Sequence, residues 1–281
     1  PEELVGLYRY RSIGARTRLF GIIGFPIHHS RSPEYHNRRF GQDRADACYV
    51  AMLVDDVEAF LELADLLPLQ GLSVTIPHKQ AVFAAAREAD AGSRAAGAAN
   101  TLLRTPNGWR AVNTDVPGFL SPLREHRPHG LAGLGATVVG AGGAARAIVL
   151  ALLDEGARVL VVNRTVERAE KLADDLASLV SGRRDAGNLP AAAVLGPNTS
   201  LDGYTDLIVQ TTSLGMHGEG DPLSWYEFTG NELVYDVVYT PPVTPLIQRA
   251  RAAGCATITG DAMFTAQAAA QYELFIRLVS A

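Results

Sequence analysis

Residues 135–165 read GATVVGAGGAARAIVLALLDEGARVLVVNRT. A short β-branched run, Thr137–Val139, stops at Gly140-Ala141-Gly142-Gly143-Ala144-Ala145. An alanine-rich helical pattern follows, and a second apolar run, ARVLVV, ends at Asn163. The pattern G-x-G-x-x-A carries weight only between a strand and a helix, which is where it stands here. Glycines at these positions let the backbone approach a pyrophosphate, and the start of the helix stabilises its charge. The competing reading is a glycine turn used for tight packing alone. The end of the second strand is more specific. Nucleotide sites selective for NAD place Asp or Glu there to hold the ribose hydroxyls. Here the acid is absent, and Asn163-Arg164-Thr165 is followed by Arg168 one turn later. Guanidinium groups bind phosphate in a bidentate fork, so this half is expected to hold NADP.

Working outward, VERAEKLADDLASLV reads as a helix, and YTDLIVQTTS (204–213) and ELVYDVVYT (232–240) read as further strands. Strands alternating with helices predict a parallel sheet covered on both faces. Residues 181–198 read as loops around one short strand, AAAVL. Before this half lies a second α/β unit. LFGIIG (19–24), ACYVAMLV (47–54) and LSVTI (72–76) read as buried strands, and VDDVEAFLELADLL and HKQAVFAAAREAD as helices. ANTLLRT and WRAVNT bracket Pro106-Asn107-Gly108 as a hairpin, so the later strands of this unit turn antiparallel. The fold class is therefore α/β. It has an N-terminal α/β domain over residues 1–114, joined by the returning helix 260–281, and a doubly wound parallel-sheet Rossmann domain over residues 115–259.

The totals set outer bounds. The 281 residues are 47% hydrophobic and 20% charged, a globular composition with room for about two domains. A net charge of -5 argues against a nucleic-acid binder, and no apolar run is long enough to cross a bilayer. The first residues lack the apolar segment of a secretory signal. Cys48 and Cys255 match no metal spacing and read as buried thiols of a reducing compartment such as the cytoplasm. No metal is expected. The chain opens on proline rather than methionine, which fits a piece of a longer polypeptide.

In the first half, polar groups stand where strands end: Ser30 and Ser32 in HHSRS, Ser73, Thr75 and Lys79 in LSVTIPHK, Asn100 after GAA, and Asp115 in VNTD. Strand ends of an α/β sheet form the usual ligand crevice, and this set suits a small polyhydroxylated acid. Each residue also has a plainer reading. Ser32 and Asp115 can cap helices, Asn100 can serve a turn, and Lys79 can be a solvated lysine. Lys79 makes the sharper case, because a cation is unfavourable at a helix start. A hydride leaving an alcohol carbon requires a proton to leave its oxygen. An ammonium and a carboxylate side by side can pass that proton, so Lys79 and Asp115 are the expected catalytic pair.

HSRSP, VTIPHK, GAANT, NTD, GAGGAAR, NRT, TTSLGM and MFTAQAA occur in the order seen in the shikimate dehydrogenase family, across about residues 19 to 280. This resemblance implies an NADPH-dependent reduction of 3-dehydroshikimate to shikimate, on a substrate-binding domain and a Rossmann domain. It implies that Ser30 and Ser32, with Tyr239, bind the substrate carboxylate. Thr75, Asn100 and Gln267 would hold the ring hydroxyls, with Ser73 nearby. Gly140, Ala141, Gly142, Gly143 and Ala144 would hold the pyrophosphate, and Asn163, Arg164, Thr165 and Arg168 the adenosine phosphate. Thr211, Ser213, Val237 and Gly260 would line the nicotinamide side. Ser73 stands where many single-domain members have asparagine, and serine resembles the quinate-using and plant-type branches. Val116-Pro117-Gly118 after NTD, and Asp261 and Ala262 in GDAMF, also depart from the common pattern. The opening, LVGLYRYRSIGARTRLFGIIG, resembles the junction before the reductase half of bifunctional dehydroquinate dehydratase–shikimate dehydrogenases. The partners this implies are a small-molecule substrate and a fused or associated dehydratase, with neither nucleic acid nor membrane, in a monomer or homodimer. The alternatives are a quinate/shikimate dehydrogenase using NAD or both nucleotides, a non-catalytic ligand sensor, and an interaction module. Neither of the last two needs a proton-transfer pair.

Overall fold

The structure, a computed structural model, describes residues 2–8, 10–28, 30–180, 189–216 and 218–280. The loop expected over residues 181–188 lies outside the described residues. Two compact units divide the chain, Pro1–Thr114 with Gln267–Ala281, and Asp115–Ala266.

The first unit runs α1 (Glu2–Tyr8), β1 (Arg18–Gly24), α2 (Ser32–Gln42), β2 (Ala47–Leu53), α3 (Val57–Ala64), β3 (Leu69–Val74), α4 (Lys79–Ala85), β4 (Glu88–Ala89), α5 (Ala91–Ala96), β5 (Thr101–Thr105) and β6 (Gly108–Val112). Its sheet has the order β2-β1-β3-β5-β6-β4. β1 pairs parallel with β2 and β3, whereas β5 pairs antiparallel with both β3 and β6. Because β5 starts where β3 ends, Asn100 arrives beside Val74, whose N–H donates to the Asn100 carbonyl at 2.7 Å. The start of α3 follows from Asp56, whose carboxylate accepts from the N–H groups of Glu58 and Ala59.

One expectation is corrected here. The helix read through residues 78–90 stops at Ala85, and Glu88–Ala89 form the edge strand β4. The sheet edge wins over helix propensity. The Arg87 N–H donates to the Trp109 carbonyl and the Asp90 N–H to the Ala111 carbonyl, and Asp90 then caps α5 through the Ser93 N–H.

The second unit runs α6 (Asp115–His126), β7 (Gly135–Val139), α7 (Gly143–Asp154), β8 (Arg158–Asn163), α8 (Val166–Val180), β9 (Ala191–Val194), β10 (Leu207–Gln210), β11 (Leu233–Asp236), α9 (Pro245–Ala252), β12 (Ala256–Ile258) and the first turns of α10 (Gly260–Ser280). Every pair in its sheet is parallel, in the order β9-β8-β7-β10-β11-β12. Numbered within the unit this is 3-2-1-4-5-6, the doubly wound arrangement whose ligand crevice opens at the strand ends beside β7. All residues of β7, β10 and β11 are buried, as a sheet covered on both faces requires.

Helix α10 begins in the second unit and its later turns belong to the first. There Tyr272 and Phe275 join a core with Phe20, Phe40 and Tyr49. The Phe275 ring lies 5.0 Å from that of Phe20. Gly71 makes room for it, since an added Cβ would stand 2.7 Å from the Phe275 ring. Burying an aromatic of this kind is worth about 3 kcal/mol or more against truncation to alanine.

Candidate active site

The polar residues of the first unit meet at one end of its sheet, and most of them are already bonded to one another. Ser30 and Ser32 lie in the loop from β1 into α2. The Ser32 N–H donates to Ser30 Oγ at 3.3 Å. Ser32 does not cap α2: the cap position is Arg31, which makes no side-chain capping bond, and Ser32 is the first helical residue. Neither serine hydroxyl donates to a protein group among the described residues, so both can serve a ligand. Thr75 follows β3, with its N–H on the Ile23 carbonyl and its own carbonyl accepting from His78. Lys79 is half-buried and opens α4, as its position after Pro77 indicates. Its carbonyl accepts from the Ala99 N–H at 2.9 Å, which ties the lysine to the segment carrying Asn100.

Asn100 is the hub. It is buried, and its Oδ1 accepts from the Thr114 N–H at 2.8 Å and from the Thr101 hydroxyl at 3.0 Å. Its Nδ2 donates to Thr114 Oγ1 at 2.9 Å and to Gln267 Oε1 at 3.3 Å. Asp115, the residue after Thr114, is buried and is the first residue of α6. Ser73 is also buried, but its hydrogen goes to Gln271 Oε1 at 2.8 Å and its oxygen accepts from Tyr49 at 2.6 Å. Gln271 was not singled out from the sequence. The signal was available: it lies one helical turn beyond Gln267 on the same face of an alanine-rich helix.

In the second unit the expected nucleotide residues again sit at strand ends. Gly140 follows β7 with φ +114°, and a Cβ there would come 2.5 Å from Thr211 Oγ1. Its N–H is fixed on the Val162 carbonyl at 2.8 Å. Gly142 caps α7 in an extended conformation, and nothing lies within 4 Å of where its Cβ would stand. Ala141, Gly143 and Ala144 complete the turn, half-buried. Backbone and open space here fit a pyrophosphate. After β8, Asn163 Nδ2 donates to the Thr165 carbonyl at 2.8 Å and closes the turn that carries Arg164. The side chains of Arg164 and Arg168 are exposed and make no hydrogen bond or ion pair among the described residues. Arg146, by contrast, is taken by Asp175 at 2.8 Å.

Thr211 gives both its N–H and its hydroxyl to the Val139 carbonyl, so its hydrogens are occupied by the fold. Ser213 is exposed in the loop beyond. That loop is shaped by Gln210, which donates to the Thr212 and Leu214 carbonyls and accepts from the Thr212 N–H at 2.6 Å. Val237 hangs from the Gln210 carbonyl by its N–H. Asp236 is buried, accepts from the Val238 N–H and from Thr244, and so sets the segment from Val237 to Tyr239. Burial pushes its carboxyl up to about 6, against those two hydrogen bonds. Tyr239 stacks tilted on Phe264 at 5.0 Å. Gly260 must be glycine, because a Cβ would strike the Val237 and Val238 carbonyls. Gln210 and Asp236 escaped the motif reading, since a lone buried amide or acid at a strand end has no sequence signature of its own.

Residues 22–102 match the family model described as the shikimate dehydrogenase substrate binding domain, and residues 123–186 that described as shikimate / quinate 5-dehydrogenase. The chain is 39% identical to the shikimate dehydrogenase (NADP(+)) of Acidiphilium cryptum, over 91% of this chain and 89% of that protein. It is 35% identical to the chloroplastic bifunctional 3-dehydroquinate dehydratase/shikimate dehydrogenase of Arabidopsis thaliana, over 99% of this chain but 47% of that protein, so it spans about half of the plant enzyme. A crystal structure of a shikimate dehydrogenase in complex with NADP+ superposes with a TM-score of 0.84 and 29% identity, covering 95% of this chain and 94% of that one.

Proposed function

The chain belongs to the shikimate dehydrogenase family, and we propose that it interconverts 3-dehydroshikimate and shikimate with NADP(H), a step of the shikimate pathway toward aromatic amino acids. The observation that carries this reading is the tie between Lys79, Asn100 and Thr114. One backbone bond joins Lys79 to Ala99, and side-chain bonds join Asn100 to Thr114, the neighbour of Asp115. A binding module has no need of an ammonium and a carboxylate for proton transfer.

Ser30 and Ser32 hold the substrate carboxylate through their hydroxyls, with Tyr239. Thr75, Asn100 and Gln267 hold the ring hydroxyls. Lys79 and Asp115 give a proton to the carbonyl oxygen in reduction and take it from the hydroxyl in oxidation. The pyrophosphate lies against Gly140 to Ala144, the adenosine phosphate against Asn163 to Thr165 and Arg168, and Thr211, Ser213, Val237 and Gly260 face the nicotinamide. Bound NADPH supplies the hydride. A reducing cytoplasm suits the two buried cysteines, Cys48 and Cys255, neither of which is in a disulfide among the described residues. The protein works as a monomer or homodimer, and the plant relative's fused dehydratase suggests such a partner, fused or associated.

A second reading, quinate as substrate, draws support from the description of the family model over residues 123–186. One experiment separates the two. The absorbance of reduced nucleotide is followed with shikimate or quinate against NADP or NAD. Shikimate with NADP is expected to turn over fastest; quinate with NAD in first place would favour the second reading. Absence of turnover in all four cells would leave a ligand sensor.

A further inference from the structure

Two backbone groups fix the amide orientations in the buried network behind the first unit's site. The Thr114 N–H can only donate, so the side-chain atom of Asn100 that it meets is oxygen, and Nδ2 is the end turned to Gln267. The Asn100 carbonyl can only accept, so the atom of Gln271 that meets it at 3.0 Å is Nε2. Gln271 Nε2 gives its second hydrogen to Thr101 Oγ1 at 2.9 Å, and Thr101 passes its own to Asn100 Oδ1. The other end of Gln271 is then oxygen. Ser73 must donate to it, and Tyr49 must donate to Ser73. Tyr49 is itself clamped: Asn37 holds its N–H at 2.8 Å and its carbonyl at 2.7 Å, and the His36 ring stacks on it at 4.5 Å.

We infer that Gln271, anchored by Ser73 and Tyr49, is a positioning residue that holds Asn100 from behind, through its carbonyl and through Thr101, and so keeps the orientation that the Thr114 N–H requires, with the amino end toward Gln267. Both Nε2 hydrogens of Gln271 are taken, so it acts through Asn100 rather than on the substrate. Ser73, its one hydrogen also taken, is a spacer between Tyr49 and Gln271. Both Asn100 Nδ2 hydrogens go to Thr114 Oγ1 and Gln267 Oε1, so a substrate hydroxyl at this place meets the amino end of Gln267 and is bound through its oxygen. This inference rests on the shikimate reading for its kinetics, but not for its geometry.

The test uses the full chain with Gln271→Glu, Ser73→Ala, Tyr49→Phe and the Gln271→Glu/Ser73→Ala pair. A carboxylate at 271 sets oxygen against the Asn100 carbonyl and frees Thr101 from Asn100. Gln267, oriented by Asn100, meets ground and transition states alike, so the loss belongs in KM. Gln271→Glu is expected to raise KM for shikimate about tenfold or more with kcat within about twofold and nucleotide affinity unchanged. Tyr49→Phe, which keeps the volume of the core, is expected to raise KM about threefold. Ser73→Ala should raise KM alone but add nothing in the Gln271→Glu background, because the two act in series. Equal cost of Ser73→Ala in both backgrounds overturns the inference, as does an unchanged KM in folded Gln271→Glu or Tyr49→Phe. The side-chain amide resonances of Asn100, recorded without ligand, decide the geometry separately. They move on Gln271→Glu if the relay exists and stay in place if it does not. A wild type that leaves shikimate untouched would defeat the functional reading while those resonances still decide the relay.

Discussion

The two sheets end in different kinds of site. At the end of the first, the groups are side chains from distant stretches, bonded to one another: Asn100 reaches Thr114 and Gln267, and Ser73 reaches Tyr49 and Gln271. At the end of the second, the central groups are backbone, exposed because side chains are missing: Gly140 at φ +114° and Gly142 with open space in front of it. A side-chain site can discriminate among small polar molecules, since each donor and acceptor is placed. A backbone turn can bind only what all dinucleotides share, and it leaves choice to its rim, Arg164 and Arg168. The difference predicts that substitutions at the first end act on turnover and substrate, and those at the second on nucleotide.

Lys79→Ala offers the largest break. It is expected to lower kcat by about 10² to 10⁴ while the dissociation constant for NADP stays nearly unchanged. A large loss of NADP binding in a folded variant would erase the division between the two ends. Gly140→Ala is the mirror experiment. A Cβ would collide with Thr211 at a backbone angle that alanine avoids, so the turn must shift. NADP affinity is expected to fall by about 10²-fold, and any turnover at saturating nucleotide should stay within about tenfold of wild type. Unimpaired titration with NADP would show that the turn is packing alone. Arg164→Ala sharpens the rim. NADP should weaken about tenfold and NAD hardly at all, because a lost guanidinium contact to phosphate matters only where the extra phosphate exists. Equal weakening of both would detach Arg164 from that phosphate.

The same contrast explains what could be read from the chain. The Rossmann half was legible because its signals are local: strand, glycine turn, helix and the missing acid at Asn163 all fall within residues 135–165. Lys79 drew notice from its odd place beside Pro77, and it does open α4. The first unit's network was only half visible, since Ser73 and Gln271 meet across nearly two hundred residues and no spacing rule connects them. Ser73 therefore read as a ligand, although its hydrogen belongs to Gln271. Strand β4 was missed for a related reason. Arg87 and Asp90 favour a sheet edge only because Trp109 and Ala111 offer carbonyls there. Gln210 and Asp236 act on loops that motifs do name, TTSLGM and DVVYTPP, but from inside the strands that precede them.

The smallest expected effect concerns pH, and it too separates the units. His36, in the first, is wholly buried among Tyr49, Phe40, Tyr272 and Phe275, with no hydrogen-bond partner for either ring nitrogen. Burial lowers its pKa from 6.5 to about 3, against the upward pull of the Gln271 side chain beside it and with a smaller push down from the charge of Arg39. The unfolded chain binds this proton more readily, so the stability His36 contributes is full above 6.5 and is lost as pH falls toward 3. Asp236, in the second, is shifted the opposite way, from 3.8 to about 6 by burial. Here the folded state binds the proton more readily, so its contribution is full below 3.8 and is lost as pH rises through 6. Between about pH 7.5 and about pH 5 the two units should therefore move in opposite directions. Hydrogen exchange, corrected for intrinsic rates, should show β1 and β2 less protected at the lower pH and β10 and β11 more protected. His36→Phe should flatten the first trend and Asp236→Asn the second, each leaving the other in place. If both variants flatten both trends, the two units unfold as one cooperative body, and the independence assigned to their sites does not extend to their stability.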